Sequence, residues 1–138
     1  MLYTYSTNIS VDANELIPFN VNEILTGCVA THVAGTAPIS LNKCGFYKVD
    51  FNITATPTTG TGVISVEARK GGELIDGAQG SETVGTAADL VNIAFSAIVR
   101  VLPNCCAMNR NVPVDLTFAN TGVAIDITNV AVDVTKIA

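Results

Sequence analysis

His32 is the only histidine in the chain, so any Ser-His-Asp or Cys-His mechanism would have to use it. No Gly-x-Ser-x-Gly motif, typical of nucleophilic serines, occurs. Alternation with Ala30 and Ala34 places His32 on a strand, where a lone histidine usually has a structural or interface role. The sequence therefore predicts no catalytic residue and no enzyme.

The acidic residues, 12 in number, are dispersed along the chain. A glycosidase needs two carboxyl groups held a short distance apart, one of them with a raised pKa, and spacing alone shows no such pair. Asp115, Asp126 and Asp133 fall on strand faces that the pattern predicts to be exposed. We expect them to be solvated charges.

The four cysteines are Cys28, Cys44, Cys105 and Cys106. Zinc sites usually contain two close pairs of cysteines, with two to four residues between the members of each pair. This chain has no such pair. The first residues, Met1 to Tyr5, do not resemble a signal peptide, which predicts synthesis in a host cytoplasm, where free thiols are the default. The sequence predicts no metal site and no cofactor, and it leaves free thiols and a disulfide as alternatives.

Composition limits the partners. Hydrophobic residues make up 49% of the chain, charged residues 14%, and the net charge is −5. The seven basic residues are scattered, so neither nucleic-acid binding nor a membrane span is expected. Burial between subunits is the simplest place for the excess apolar surface.

The hydrophobic pattern predicts an all-β domain covering 1–138, with eight or nine short strands and glycine-rich turns. The clearest strand is Phe46–Thr56, followed by Gly62–Lys70 and a Gly71-Gly72 hairpin. Asp76–Ala87 and Pro103–Asn111 are predicted loops. A change of phase near Thr128–Asn129 predicts a bulge or loop in the last strand.

The longest predicted strand, Asp89–Leu102, has two dissimilar faces. One, from Val91 to Val101, is typical of a core. The other carries small residues with Leu90 and Ile98, and we expect a neighbouring subunit to cover it. Residues on strand faces that are neither core nor charged form the predicted trimer interface: Tyr5, Phe19, Leu90, Ala94, Ile98 and Ala131.

Several phrases resemble a known family. Cys44-Gly45-Phe46-Tyr47-Lys48-Val49-Asp50-Phe51 resembles a strand of C1q/TNF-like jelly rolls. Ile17-Pro18-Phe19-Asn20, Thr31-His32-Val33-Ala34-Gly35-Thr36 and the terminal Val130–Ile137 resemble the C-terminal domain of the collagen-like glycoprotein of bacterial spore surfaces. Ile98-Val99-Arg100-Val101 followed by Cys105-Cys106 resembles small proteins of gut Firmicutes and their phages.

This resemblance implies an antiparallel jelly-roll sandwich that forms a homotrimer. Some C1q-like trimers bind calcium, and Asp76-Gly77 with Glu82 is the only local acidic cluster, but ordinary solvation of a loop is the simpler expectation. Because jelly-roll loops alternate between the two ends, we expect Cys28 and Cys44 at one end and Cys105 and Cys106 at the other. Beside the alternative of free thiols, Cys28–Cys44 is then the one intrachain disulfide expected between distinct segments.

The sequence thus predicts a non-enzymatic structural protein, a trimeric bacteriophage capsid decoration or head-fibre protein on the virion surface. Its partners would be itself and a capsid or other surface protein. The residues expected to face that partner lie in loops: Asp76, Glu82, Cys105, Cys106 and Arg110. The alternative is a carbohydrate- or receptor-binding trimeric head on a fibre, spore or cell surface, although the predicted loops contain no aromatic residue for stacking on sugars.

Overall fold

The computed structural model describes residues 1–102 and 113–138. Ten strands form two five-stranded antiparallel sheets, and the described residues include no helix. The strands are β1 (Leu2–Val11), β2 (Val21–Leu25), β3 (Ala30–His32), β4 (Ile39–Leu41), β5 (Gly45–Pro57), β6 (Gly62–Lys70), β7 (Glu73–Val84), β8 (Val91–Val101), β9 (Val114–Asn120) and β10 (Ile125–Lys136). The all-β prediction is confirmed.

The first sheet has the order β2-β1-β10-β5-β8, and the second has the order β3-β4-β9-β6-β7. From β4 to β6 and again from β7 to β10, consecutive strands lie in opposite sheets. This alternation gives a jelly-roll-like sandwich. Within the described part of the chain, no helix is long and apolar enough to cross a membrane. The assignment of 1–138 to one domain stays a prediction.

Period-two alternation buries one side of each long strand between the sheets. Phe51 lies at the centre of an aromatic cluster, with its ring centroid 4.6 Å from that of Phe118 and 4.9 Å from that of Phe95. Phe19 joins this cluster through an edge contact with Phe118, at 5.9 Å between centroids. Aromatic side chains from both sheets therefore hold the sandwich together.

The bulge predicted in the last strand is confirmed. Ile127 pairs with Ala55 and Asn129 with Thr54, so Thr128 is the extra residue. On the other side of β10, Asn8 lies between Thr7 and Ile9, which pair with Asn129 and Ile127. Asn8 has a φ of 53°, a left-handed conformation that asparagine tolerates better than most residues. The bulge keeps apolar side chains on the inner face along the whole of β10.

The prediction of a loop at Asp76–Ala87 is wrong, because β7 extends from Glu73 to Val84. The pairing with β6 shifts between Glu67 and Arg69, so that residues 75–78 form a wide bulge in β7. The predicted hairpin is confirmed: Gly71 and Gly72, with φ of 60° and 88°, connect Lys70 to its partner Glu73.

Candidate interaction surface

The outer face of the first sheet brings together residues from four strands. Tyr5 on β1 pairs with Ala131 on β10, Ala131 with Asn52 on β5, and Asn52 with Ala94 on β8. Their strand neighbours point into the core, so all four side chains lie on the outer face. Three of the predicted interface residues therefore form one cross-strand row.

A second row lies beside the first, and it is polar. Tyr3 pairs with Asp133, Asp133 with Asp50, and Asp50 with Ser96. Partial burial raises the pKa of the Asp133 carboxyl above its usual value, and the charge of Asp50 and a hydrogen bond with Asp50 raise it further. Lys48 opposes this increase in pKa. The two carboxyl groups thus lie opposite each other on this face.

Grooves of about 430 Å³ and 250 Å³ run along these rows. The larger one is bounded by Tyr3 on one side and Ser96 on the other, with Ala94 and Ala131 leaving space between them. The rings of Tyr3 and Tyr5 lie 6.1 Å apart and are tilted by 42°. The surface therefore combines aromatic rings, amides and carboxylates around two small side chains.

Large apolar side chains extend this face in both directions. Val21 and Ile24 on β2 pair with Tyr5 and Tyr3, and both are exposed. At the far side, Ile98 on β8 is 54% exposed. Phe46 is also exposed, at the end of the face where β5 begins. We call this outer face, from β2 to β8, the apolar face.

The outer face of the second sheet differs in chemistry. Its exposed apolar members are Val63 and Leu74. The other side chains that point outward are mostly hydroxyl, amide or charged groups: Thr31, Ser40, Ser65, Glu67, Arg69, Gln79, Ser81, Thr83, Asp115 and Thr117. Arg69 and Glu67 form an ion pair at 2.7 Å. Both outer faces thus carry polar groups, but the apolar face adds two tyrosine rings and more exposed large apolar side chains. We call the outer face of the second sheet the polar side.

Not every predicted interface residue lies on the apolar face. Tyr5, Ala94, Ile98 and Ala131 do, although an interface itself stays a prediction. Phe19 is fully buried in the core, where it contacts Phe118 and His32, so it is not available to a partner. Its two-residue spacing from Ile17 resembled an edge strand, but both side chains point inward. Leu90 is 57% exposed and precedes β8, outside the rows.

The structure describes only some of the residues that were predicted to face a partner from loops. Asp76 and Glu82 are exposed, but both belong to β7 and not to a loop. Cys105, Cys106 and Arg110 lie outside the described residues. Their predicted role stays a prediction.

The thiols of Cys28 and Cys44 are both exposed and free, so the structure does not contain the predicted disulfide. Cys105 and Cys106 lie outside the described residues, and their predicted position at the opposite end of the sandwich stays a prediction.

Sequence reasoning missed Tyr3, Asp50, Asn52 and Asp133 as surface partners. Each of them alternates with core residues, so the sequence does predict that its side chain points outward. Alternation does not show which strands are neighbours in the sheet. Asp133 was read as a solvated charge, whereas it is partly buried beside Asp50. The sequence feature that could have revealed this site is that Asp133 is a single charged residue within an otherwise uncharged stretch of β10.

His32 is buried and held by two oxygens. Nδ1 lies 2.6 Å from Oδ1 of Asn22, and Nε2 lies 2.7 Å from the carbonyl oxygen of Thr36. The Asn22 amide also donates to the His32 carbonyl oxygen at 2.8 Å. Within residues 1–102 and 113–138, no group of three or more His, Cys, Asp or Glu side chains is placed to bind a metal ion.

These features define a jelly-roll-like β-sandwich with one apolar outer face. Neither a protein-family model nor a curated protein matches the sequence. Among solved structures, the chain is similar to the PRD1 vertex protein P5, at 15% identity over 99% of this chain and 96% of that one, with a TM-score of 0.50.

Two further structures are more distant. One is the Podospora anserina GH26-CBM35 β-(1,4)-mannanase, at 9% identity over 99% of this chain and 28% of that one, with a TM-score of 0.40. The other is a family 35 carbohydrate-binding module from Clostridium thermocellum, at 12% identity over 96% of this chain and 95% of that one, with a TM-score of 0.37. At these identities, the similarity to P5 shows the fold alone.

Proposed function

We propose that the chain is a non-enzymatic structural protein, a C1q/TNF-like homotrimer that decorates a bacteriophage capsid or forms part of a head fibre. The observation that carries this proposal is the apolar face, where Val21, Ile24, Ile98 and two tyrosines surround Ala94 and Ala131. Such a concentration of exposed apolar side chains on one side of a sandwich is typical of a surface that associates.

The energetics favour association through this face. Burial stabilises by roughly 25 cal/mol per Å² of apolar area, and a stable interface buries about 800 Å² on each partner. A three-fold ring uses two different patches of each subunit. The apolar face supplies one patch, and exposed Leu90, which lies outside it, fits the second.

The virion assignment is supported by the fold similarity to a protein named as a vertex protein. The absence of enzymatic activity is supported by His32, whose two ring nitrogens are occupied by Asn22 and Thr36. Mass spectrometry of particles purified from a culture that produces the chain would detect it in copy numbers divisible by three.

A second candidate function is carbohydrate binding by the groove on the same face. Two tyrosine rings lie beside Asp50, Asn52 and the other polar groups of the groove, a combination that suits stacking on sugar rings and hydrogen bonds to hydroxyl groups. This candidate needs the groove to be open, whereas the trimer covers it. The two functions therefore predict different oligomeric states.

The test is the mass of the chain in solution, measured by light scattering after size exclusion at micromolar concentration. We expect a trimer for the wild type and for Ser81→Glu, since Ser81 is exposed on the polar side. Ala94→Glu places a charge in the centre of the apolar face and should give a monomer. A wild-type monomer would overturn the trimer, and selective saccharide binding by that monomer would favour the second candidate.

A further inference from the structure

The Asp50–Asp133 pair lies in the middle of the face proposed to associate. The two residues are direct cross-strand partners on β5 and β10, and both line the larger groove. Like charges directly opposite each other on a sheet are destabilising. A neighbouring subunit that covers the groove would also remove water from both carboxylates, which is costly unless they are neutralised or paired.

Few nearby groups can neutralise this pair. Towards β1, Asp133 faces the Tyr3 hydroxyphenyl group, and towards β8, Asp50 faces Ser96. Among the described residues, Lys48, on the same strand as Asp50, is the cation that lowers the pKa of Asp133, and Arg100 lies two rows further along β8. Lys48 is itself exposed and pairs with Thr135 and Ile98, so it lies beside the carboxyl pair and not between its members.

We infer that assembly through the apolar face is coupled to proton uptake by Asp133, the carboxyl group opposite Asp50, so that trimers are more stable at mildly acidic pH than at neutral pH. This inference rests on the proposed trimer and specifies how the same face is regulated. A single proton shared between the two carboxyl groups removes one charge and turns their repulsion into a hydrogen bond.

The direction of the pH effect on assembly follows from the linkage between proton binding and association. Burial, followed by the charge of Asp50, raises the pKa of the Asp133 carboxyl in the isolated chain. Further burial disfavours the charged form more strongly. The assembled state therefore binds more protons than the separate subunits, and lower pH favours assembly.

The experiment is sedimentation equilibrium of the wild type, Asp133→Asn and Asp50→Asn between pH 5 and pH 8. One proton per subunit increases the trimer association constant by up to about 1000-fold for each unit of pH decrease, since three subunits associate. Either asparagine removes one charge and keeps a hydrogen-bond donor, so both variants should associate strongly with little pH dependence. Asp12→Asn, at an exposed position, is the control and should retain the wild-type slope.

Each outcome has a distinct meaning. If the wild type forms a trimer whose association constant does not depend on pH, proton coupling is overturned and the proposed trimer stays intact. The same slope in wild type and both asparagine variants would assign the pH effect to other groups and overturn the inference. A chain that is monomeric at every pH would overturn both the trimer and its coupling.

Discussion

His32 shows how one polar side chain is accommodated in this core. Both atoms that face its ring nitrogens, Asn22 Oδ1 and the Thr36 carbonyl oxygen, are acceptors. The ring donates to both in its protonated form and to one in its neutral form. Its edge also packs against Phe19, with centroids 6.0 Å apart. His32 therefore links β2, β3 and the 33–36 turn to the aromatic cluster.

Replacing His32 by phenylalanine should destabilise the fold. The ring shape is largely kept, but the oxygens of Asn22 and Thr36 lose their donor, and an unsatisfied buried polar group costs about 1–3 kcal/mol. Urea denaturation would measure this loss in the free energy of unfolding. Thr31→Ser, one residue away on the other side of β3, is the control: it keeps the hydroxyl group that accepts from Asn42 at 3.0 Å and should change stability by less than about 0.5 kcal/mol. An equal effect of the two substitutions would contradict the structural role of His32.

A structural role for the lone histidine was readable from its alternation with alanines, but its partners were not. Asn22 lies in β2, a strand that the sequence did not predict because Val21–Leu25 lacks period-two alternation. Its burial pattern is almost entirely exposed, as expected of an edge strand that bulges between its pairs with Tyr3 and Thr4. Edge strands are specified by long-range pairing, which short-range patterns do not contain.

At the scale of elements, β7 packs closely against β8 of the other sheet. A Cβ atom built on Gly80 would lie 2.6 Å from Cγ2 of Ile93 on β8. This distance is far below van der Waals contact, and Ile93 is buried. The glycine thus lets the edge strand of the second sheet pack against the edge strand of the first.

Gly80→Ala should therefore overpack this edge and destabilise the protein by about 1–3 kcal/mol. Gly85→Ala is the matched control, because a Cβ atom at Gly85 meets no atom within 4 Å, and its φ is not in the left-handed region. The control should be neutral or stabilised by up to about 1 kcal/mol through reduced freedom of the unfolded chain. Thermal unfolding of both variants compares them, and equal melting temperatures would contradict the close approach at Gly80.

The same glycines explain why β7 was taken for a loop. Gly77, Gly80 and Gly85 are signals of a turn in sequence, yet Gly77 belongs to a bulge and Gly80 to a tight packing contact. By contrast, β6 was predicted with its observed bounds, Gly62–Lys70, because Ile64, Val66 and Ala68 alternate without interruption. Local alternation predicts strands well where one face is buried and glycine has no packing role.

At the scale of the whole molecule, the sequence predicted two kinds of face but not their arrangement. The small outer residues of β8 were correctly separated from its core side, and Ala94 and Ile98 are exposed. That they align with Tyr5 and Ala131 depends on the strand order β1-β10-β5-β8, in which neighbours are far apart in sequence.

The carboxyl pair also predicts a pH dependence for the isolated subunit. Burial, followed by the charge of Asp50, raises the pKa of Asp133 above its value of about 3.9 in an unfolded chain. From that value upward, the folded chain binds more protons than the unfolded chain, so this carboxyl lowers stability as pH rises through its folded pKa. Below about pH 3.9, both states are protonated and the penalty is absent.

Asp133→Asn should therefore raise the melting temperature at pH 7 by about 1–4 °C, a modest gain because the group is only partly buried. The gain should shrink towards pH 4, where the proton of the wild-type pair supplies the same donor to Asp50 as the asparagine amide does. Thermal unfolding of wild type and variant from pH 4 to pH 8, followed by tyrosine fluorescence at submicromolar concentration to keep the subunits separate, measures the difference, with Asp12→Asn as the exposed control. A variant less stable than the wild type at pH 7, or a gain that grows on acidification, would show that Asp50 and Asp133 do not repel each other across β5 and β10.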